Sequence, residues 1–203
     1  PTLSRICPRE KFRHPPDAPI PAHTTGLPMV YWSLRGAGAC GGGPAAISSF
    51  QPSSIRCVLV HPDRIVPTRE ARACLPDTVS LSDSVRQTAH LGAFVAGCYR
   101  DDPALIGRSL RDHLVEPHRA ALVPGFADVQ EAALSAGALG CSLSGAGPTL
   151  FAWCDGPDDA ERVRTAMTDA FAQHDVPTEA WVSSIPPDGA CIVDASPADT
   201  SSS

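Results

Sequence analysis

Short apolar runs separated by polar, turn-forming residues dominate the chain from residue 56 onward. Residues 56–60 (RCVLV) form one such run, which ends at the turn-forming sequence His61-Pro62-Asp63. Comparable runs occupy residues 149–153, 179–185 and 191–193. Apolar runs of this length, bounded by turn residues, are typical of buried β-strands.

Between these runs, apolar residues recur every three or four positions, which predicts helices. The predicted helices cover residues 68–75, 80–99, 102–114, 126–139 and 158–173. Thr68 is the expected N-cap of the first helix, and Gly140 is the expected C-cap of the fourth. The expected buried stripe of the second helix is Leu81, Val85, Ala89, Leu91, Phe94 and Val95, and that of the third is Leu105, Ile106, Leu110 and Leu114. Strands mixed with helices in this order predict a layered α+β domain of about 140 residues.

The two ends of the chain lack this organisation. Residues 1–55 contain nine prolines and the stretch GAGACGGGPAA, and residues 196–203 are short and polar. The pattern predicts an irregular or disordered leader over 1–55, one folded domain over 56–195 and a disordered tail over 196–203.

Composition narrows the class of protein. Hydrophobic residues make up 43% and charged residues 19% of the chain, and no run approaches the ~20 apolar residues that a membrane helix needs. The first residues also lack the apolar core of a signal peptide, so we expect a cytoplasmic protein without a membrane partner. The net charge is −6 and no basic stripe is present, which argues against a nucleic-acid partner.

The eight cysteines are widely spaced and include no C-x-x-C pair. Several lie inside apolar runs, where a free thiol packs as a small hydrophobic group. This spacing favours reduced core cysteines over a disulfide framework or a metal site, so no metal ligands are predicted.

One segment combines turn residues and hydroxyl groups more densely than a simple turn requires. Residues 140–153 read GCSLSGAGPTLFAW, with two glycines and a proline directly before a predicted strand. Gly145 and Gly147 permit positive φ angles and a close approach of the backbone to a ligand, and Ser142 and Ser144 can donate hydrogen bonds.

Six sequence blocks together carry a family resemblance. They are HPD (61–63), VPTREAR (66–72), VEPHR (115–119), LVPGF (122–126), GALG (137–140) and SLSGAGPT (142–149). In order and spacing, the region from about 55 to 195 closely resembles the C-terminal half of the bacterial homoserine kinases. These enzymes belong to the small-molecule kinase superfamily that also contains galactokinase, mevalonate kinase and phosphomevalonate kinase. The glycine-rich block marks the superfamily, whereas VPTREAR and EPHRAALVPGF indicate homoserine kinase.

The resemblance implies a fold, a reaction and a substrate site. It implies a ferredoxin-like α+β C-terminal domain that closes the substrate site, beside an N-terminal domain that holds ATP. It also implies phosphorylation of the L-homoserine hydroxyl with ATP and Mg²⁺, on the route to threonine. By resemblance, Thr68, Arg72 and Arg119 contact homoserine, and Ser142, Ser144, Gly145 and Gly147 belong to a loop that closes the active site.

The chemistry of these residue types agrees with that implication. Homoserine carries a carboxylate, which the planar two-donor fork of arginine fits and the point charge of lysine does not. Thr68 and Arg72 lie four positions apart, on one face of the predicted helix. His61 and His118 are expected to cap or pack rather than to transfer protons, and no catalytic base is identified.

The family's phosphate-binding loop, a Pro-x-x-x-Gly-Leu-Gly-Ser-Ser-Ala type sequence, is not found in this chain. The stretch Gly36 to Pro44 is rich in glycine but lacks the paired serines, and no G-x-x-x-x-G-K-[ST] motif occurs. Because phosphoryl transfer depends on positioning the phosphates, the chain alone is predicted to be a poor kinase.

Three functions therefore stay open. The favoured one is a homoserine kinase that is incomplete at its N-terminus. The alternatives are a non-catalytic amino-acid-binding module built on the same domain, and another kinase of the superfamily. A second copy of the chain is a candidate partner in each case.

Overall fold

The computed structural model describes residues 54–185. Its strands are β1 (Ile55–Pro62), β2 (Gly140–Leu143), β3 (Leu150–Asp155) and β4 (Thr178–Ser184). Its α-helices are α1 (Thr68–Ala73), α2 (Leu81–Arg100), α3 (Pro103–Ser109), α4 (Glu116–Arg119), α5 (Phe126–Ser135) and α6 (Pro157–Ala172). A 3₁₀ turn over Ala120–Leu122 continues α4. Residues 1–53 of the predicted leader, the strand at 191–193, the tail and the Gly36 to Pro44 stretch lie outside the described residues. The predicted end of the leader at residue 55 is wrong, because Ile55 is buried as the first residue of β1.

The four strands form one antiparallel sheet in the order β2-β3-β1-β4. With α5 before β2 and α6 between β3 and β4, this is the β-α-β-β-α-β arrangement of a ferredoxin-like domain. Helices α1 to α4 are inserted between β1 and α5. The predicted α+β fold class is confirmed.

Alternation along the central strands places apolar residues on both faces of the sheet. Val58 and Val60 of β1 face one way, and Ile55 and Cys57 face the other. The first face packs against α5 and α6, whose buried residues include Val129, Ala133, Val163, Met167 and Phe171. The second face packs against α2 and α3 through a cluster of Phe94, Cys98, Ile106, Leu110 and Trp153. Helices cover both faces, so β1 and β3 lie in the centre of a three-layer packing.

The second predicted helix is confirmed, but its predicted buried stripe is largely wrong. Ser80 caps α2 by accepting a hydrogen bond from the Asp83 amide. Of the six stripe residues only Phe94 is buried, and Leu81 and Val85 are 82% and 60% exposed. The reason is tertiary, because α3 and the sheet pack only against the C-terminal half of α2, where Gly97 meets Ile106.

Three other local expectations are corrected. The third helix ends at Ser109, not at residue 114. The fourth ends at Ser135, and the positive-φ glycine after it is Gly137, with φ 106°. Gly140 instead begins β2, a strand that the apolar pattern did not predict, where an added Cβ would lie 2.8 Å from Leu110.

The described cysteines agree with the prediction of reduced core thiols. Cys74, Cys98, Cys141 and Cys154 are free thiols, and Cys57, Cys98, Cys141 and Cys154 are buried. Burial raises the pKa of Cys98 to about 11 and that of Cys154 to about 12. None of the helices between residues 54 and 185 is long and apolar enough to cross a membrane.

Candidate functional site

Helix α1 presents two of the predicted site residues at the surface. Thr68 is its first helical residue, not its N-cap; the N-cap is Pro67, which offers no side-chain cap. Ala71 is buried and anchors the helix, whereas Thr68 and Arg72 are exposed. Within the described part of the chain, the Arg72 side chain makes no hydrogen bond or ion pair. Its guanidinium is therefore available to a ligand.

Arg119 lies at the end of α4 and is only 5% exposed. Its Nε donates to the carbonyl oxygen of Ala71 in α1 at 2.9 Å. Its Nη1 donates to the carbonyl oxygen of Gly145 at 3.0 Å. One guanidinium thus joins three segments that are far apart in sequence. Of the two arginines singled out from the sequence, Arg72 is thus exposed and Arg119 is buried.

The charge of Arg72 affects the pKa of Arg119. Burial lowers the pKa of Arg119, and the positive charge of Arg72 lowers it further, whereas Asp112 raises it. Asp112 is itself buried, and its Oδ1 accepts hydrogen bonds from the amides of Leu114 and Val115. Positive charges that influence each other in this way favour the binding of an anion nearby.

Residues 144–149, here called the glycine loop, connect β2 to β3. The Ser144 amide donates to the Thr149 carbonyl at 2.8 Å, and the Gly147 amide donates to the Ser144 carbonyl at 3.2 Å. Gly145 and Gly147 have φ angles of 68° and 79°, as expected for positions that need glycine. The amides of Gly145 and Ala146 donate no hydrogen bond within the described residues, so they are available to an anion.

The two histidines singled out from the sequence differ in their surroundings. His61 Nδ1 lies 2.8 Å from Thr149 Oγ1, so this ring supports the base of the glycine loop. His118 is exposed on α4. Support of the loop is the kind of packing role expected for His61.

Ser142 does not belong to the exposed part of the loop. It lies in β2 and is 2% exposed, and its Oγ is the one buried side-chain polar atom of residues 54–185 without a hydrogen-bond partner. The hydroxyl is close enough to the Glu116 carboxyl group to lower that group's pKa, although it forms no hydrogen bond of standard geometry. Ser144, by contrast, is partly exposed at the start of the glycine loop.

A second polar link supports the site and was not predicted. Gln130 of α5 donates through Nε2 to Glu116 Oε1 at 3.1 Å and to the Cys141 carbonyl at 2.7 Å. Glu116 and Arg119 lie three positions apart on α4. The short helix α4 is thereby connected to β2 by way of Glu116 and Gln130, and to the glycine loop through Arg119. The only sequence signal for this link is a glutamine within an apolar helix.

The hydrogen bonds of Arg119 join α1, α4 and the glycine loop, and the groups at this junction suit a small anion. The junction offers a free guanidinium at Arg72, part of a second one at Arg119, the Thr68 hydroxyl and two backbone amides. Among residues 54–185, no three His, Cys, Asp or Glu side chains come together as metal ligands. Arg119 thus links the helix that carries Thr68 and Arg72 to the loop that carries Gly145 and Gly147, whereas Ser142 is buried in β2.

Comparison with known proteins gives consistent results. The family described as GHMP kinases C terminal matches residues 94–173. A homoserine kinase of Chlorobium phaeovibrioides is 46% identical over 144 residues, which are 70% of this chain and 45% of that protein. One from Xylella fastidiosa is 44% identical over 142 residues, with 70% of this chain and 44% of that protein covered.

A solved structure shows the same similarity to homoserine kinase. The crystal structure of homoserine kinase from Cytophaga hutchinsonii superposes with a TM-score of 0.67 at 42% identity, over 68% of this chain and 44% of that chain. The chain thus spans somewhat less than half the length of the relatives it matches. The resemblance stated from the sequence blocks is confirmed for that part.

Proposed function

We propose, from the premise that this chain contains the C-terminal domain of a GHMP kinase of the homoserine kinase type, that the whole protein is a homoserine kinase. The reaction would be ATP-dependent phosphorylation of the L-homoserine hydroxyl in threonine biosynthesis, in the cytoplasm. The observation that carries the proposal is the link that Arg119 makes between the glycine loop and the helix that carries the exposed Arg72, within a domain similar to that of homoserine kinases.

The described residues would supply the substrate side of the active site. The free guanidinium of Arg72 suits the homoserine carboxylate, because a planar fork can donate two parallel hydrogen bonds. Thr68 lies one helical turn earlier on the same side of α1 and can donate a further hydrogen bond. The glycine loop would close over the substrate from this domain, with its free amides facing developing negative charge.

ATP and Mg²⁺ enter this proposal through the family resemblance. They would be held mainly by the N-terminal domain of the kinase, and the residues described here would contribute the glycine loop. ATP with its bound Mg²⁺ supplies the phosphoryl group and neutralises its charge. The role left for this domain is to bind the amino acid, orient its hydroxyl and exclude water.

A chimera tests the proposal. The ATP-binding domain of a homoserine kinase is fused ahead of residue 54, and homoserine-dependent ADP release is measured together with homoserine binding. We expect turnover in the ordinary enzyme range of ~1–10³ s⁻¹. The alternative, an amino-acid-binding module without catalysis, predicts homoserine binding without ADP release. A folded chimera that neither binds homoserine nor releases ADP would contradict both.

Substitution of Arg72 tests the assigned carboxylate contact in the same chimera. Arg72→Ala should weaken homoserine binding roughly tenfold to a hundredfold, as expected for loss of a hydrogen bond between charged groups. Arg72→Lys should recover only part of the affinity. Arg108→Ala is the matched control, because Arg108 is exposed on α3 and lies on the other face of the sheet. Equal affinities for Arg72→Ala and the control would mean that Arg72 does not contact the substrate.

A further inference from the structure

Four basic residues occur where helix α2 meets residues 110–115, the segment that joins α3 to α4. Arg86 and His90 belong to α2, and Arg111 and His113 belong to the segment. We propose that this basic cluster binds a phosphate group, free or as a phosphomonoester, and that it takes up a proton when the anion binds. The inference concerns a second site and does not rest on the proposed function.

Direct contacts hold the two parts of the cluster together. His90 Nε2 lies 3.1 Å from His113 Nε2, and the ring centroids are 4.8 Å apart. The His113 amide donates to Gln87 Oε1 at 2.8 Å, and Gln87 Nε2 donates to the Arg111 carbonyl at 3.5 Å. Gln87 is buried, so these two hydrogen bonds fix the segment 110–115 against α2.

The two arginines add their charge to the imidazole pair. Arg86 precedes His90 by four positions, which places both on one face of α2, and Arg111 lies two residues before His113. Both arginines are exposed, and in the described part of the chain neither side chain makes a hydrogen bond or an ion pair. Their guanidinium groups are therefore available to an anion.

The titration of His113 reflects the same excess of positive charge. Burial lowers the pKa of His113 below its ordinary value of 6.5, and the charge of His90 lowers it further. The charges of Arg86 and Arg111 lower this pKa as well, whereas Asp112 raises it. In the ligand-free chain the cluster thus disfavours a further proton.

The carboxyl groups nearest in sequence are engaged elsewhere. Asp83 of α2 accepts a hydrogen bond from Ser80 Oγ. Asp112 is buried, and its Oδ1 accepts from two backbone amides. Glu116, at the start of α4, accepts from Gln130. The cluster is thus a local excess of positive charge in a chain whose net charge is −6.

The contact between the two rings links anion binding to a proton. A hydrogen bond between two Nε2 atoms needs a proton on one and a lone pair on the other, so this contact excludes the state in which both are protonated. A tetrahedral oxyanion has acceptors for two N–H donors, and its charge offsets that of the second proton. The anion would therefore replace the contact between the rings by a hydrogen bond from each ring. By linkage, anion binding raises the pKa of His113, and binding weakens as the pH rises.

Sulfate titration of the complete chain tests this link, because sulfate has the tetrahedral oxygens of phosphate and does not titrate where histidine does. Imidazole C–H resonances report binding, with chloride added to keep the ionic strength constant. The titration is carried out about one pH unit below and one above the ordinary histidine pKa of about 6.5. We expect shifts at His90 and His113, and an affinity roughly tenfold higher at the lower pH, the scale of one proton taken up. Equal affinities at the two pH values, or equal shifts with chloride alone, would overturn the proposal.

Arginine variants locate the site. Arg86→Gln and Arg111→Gln should each weaken sulfate binding roughly threefold to tenfold, between the scale of an exposed ion pair and that of a hydrogen bond to a charged group. The matched control is Arg162→Gln, which removes the same charge from α6, on the opposite face of the sheet. Equal loss of affinity in the control and in the cluster variants would show binding by net charge alone and would contradict the proposal.

Histidine variants test the origin of the proton. A chain that combines His90→Gln with His113→Gln keeps hydrogen-bonding groups at both positions but cannot titrate there. Its sulfate affinity should be the same at both pH values, whereas His118→Gln, at an exposed position of α4, should keep the pH dependence of the wild type. Persistent pH dependence in the double variant would contradict the proposal. If the double variant does not fold, the arginine variants, which change exposed side chains, decide the question.

Two further probes distinguish the sources of the phosphate group. Inorganic phosphate and glycerol 3-phosphate are compared at the lower pH by the same resonances. Binding of both would support a site that accepts phosphomonoesters, and binding of inorganic phosphate alone would support a site for the free ion. Binding of neither would overturn the proposal, whatever the result with sulfate.

Discussion

At the scale of single residues, Glu116 is the acidic group whose surroundings most affect its titration. Burial raises its pKa above the ordinary value of 4.5, and the hydroxyl of Ser142 and the amide of Gln130 oppose this effect. The folded state therefore binds the Glu116 proton more tightly than the unfolded state does. The resulting stabilisation is complete below about pH 4.5 and is lost as the pH rises through the pKa of the folded state.

Replacement of this carboxyl group should make stability less dependent on pH. Glu116→Gln keeps an acceptor for Gln130 Nε2 but cannot ionise, so we expect its free energy of unfolding, relative to wild type, to increase from pH 4.5 to pH 7. Urea unfolding at a series of pH values measures this difference. Glu131→Gln, which changes an exposed carboxylate on α5, should follow the wild type throughout. A constant difference between Glu116→Gln and wild type at all pH values would contradict the assignment.

At the scale of elements, the pairing of α2 with α3 depends on one glycine. A Cβ at Gly97 would lie 3.0 Å from both Cγ1 and the backbone nitrogen of Ile106. The backbone of α3 cannot move away without disturbing its contact with the sheet, where Ile106 is fully buried. Gly92 lies on the same helix and faces open space, with no atom within 4 Å of an added Cβ.

These two glycines allow the same substitution to be compared on one helix. Gly92→Ala should stabilise the protein by about 0.5–1 kcal/mol, because alanine loses less backbone entropy in a helix. At Gly97 the same gain is outweighed by overpacking, which typically costs about 1–3 kcal/mol. We therefore expect a lower urea midpoint for Gly97→Ala and a higher one for Gly92→Ala, with unchanged slopes. Equal midpoints for the two variants would show that α3 adapts to the added methyl group.

At the scale of the whole molecule, the two faces of the sheet share the strands β1 and β3. Cys57 and Cys98 lie in the cluster under α2 and α3, and Cys141 and Cys154 lie in the cluster under α5 and α6. These four thiols report on both layers at once. Because the layers share a sheet, we expect them to unfold as one cooperative unit.

Thiol alkylation with peptide mapping measures this cooperativity. Among the described cysteines, only Cys74 should react in the native chain, since burial raises the pKa of Cys98, Cys141 and Cys154 and shields their sulfur atoms. The four buried thiols should become reactive at one denaturant concentration, together with loss of helical circular dichroism. Earlier reaction of Cys57 and Cys98 would show that α2 and α3 detach separately.

The sequence alone determined most of the secondary-structure elements of this protein and their order, and it carries the resemblance to homoserine kinases. Strands β1, β3 and β4 and helices α2 and α6 follow from short-range apolar periodicity, and the six sequence blocks carry the resemblance to homoserine kinases. Contacts between residues that are 26 to 48 positions apart do not follow from this periodicity. Arg119 reaches Gly145 and Ala71 only because the chain folds back on itself. The same fold buries this arginine and exposes Leu81. Periodicity shows that a helix has an apolar face, but it cannot show how much of that face a neighbour covers. Local pattern thus specifies the elements, whereas tertiary packing decides which arginine is exposed and which one is buried.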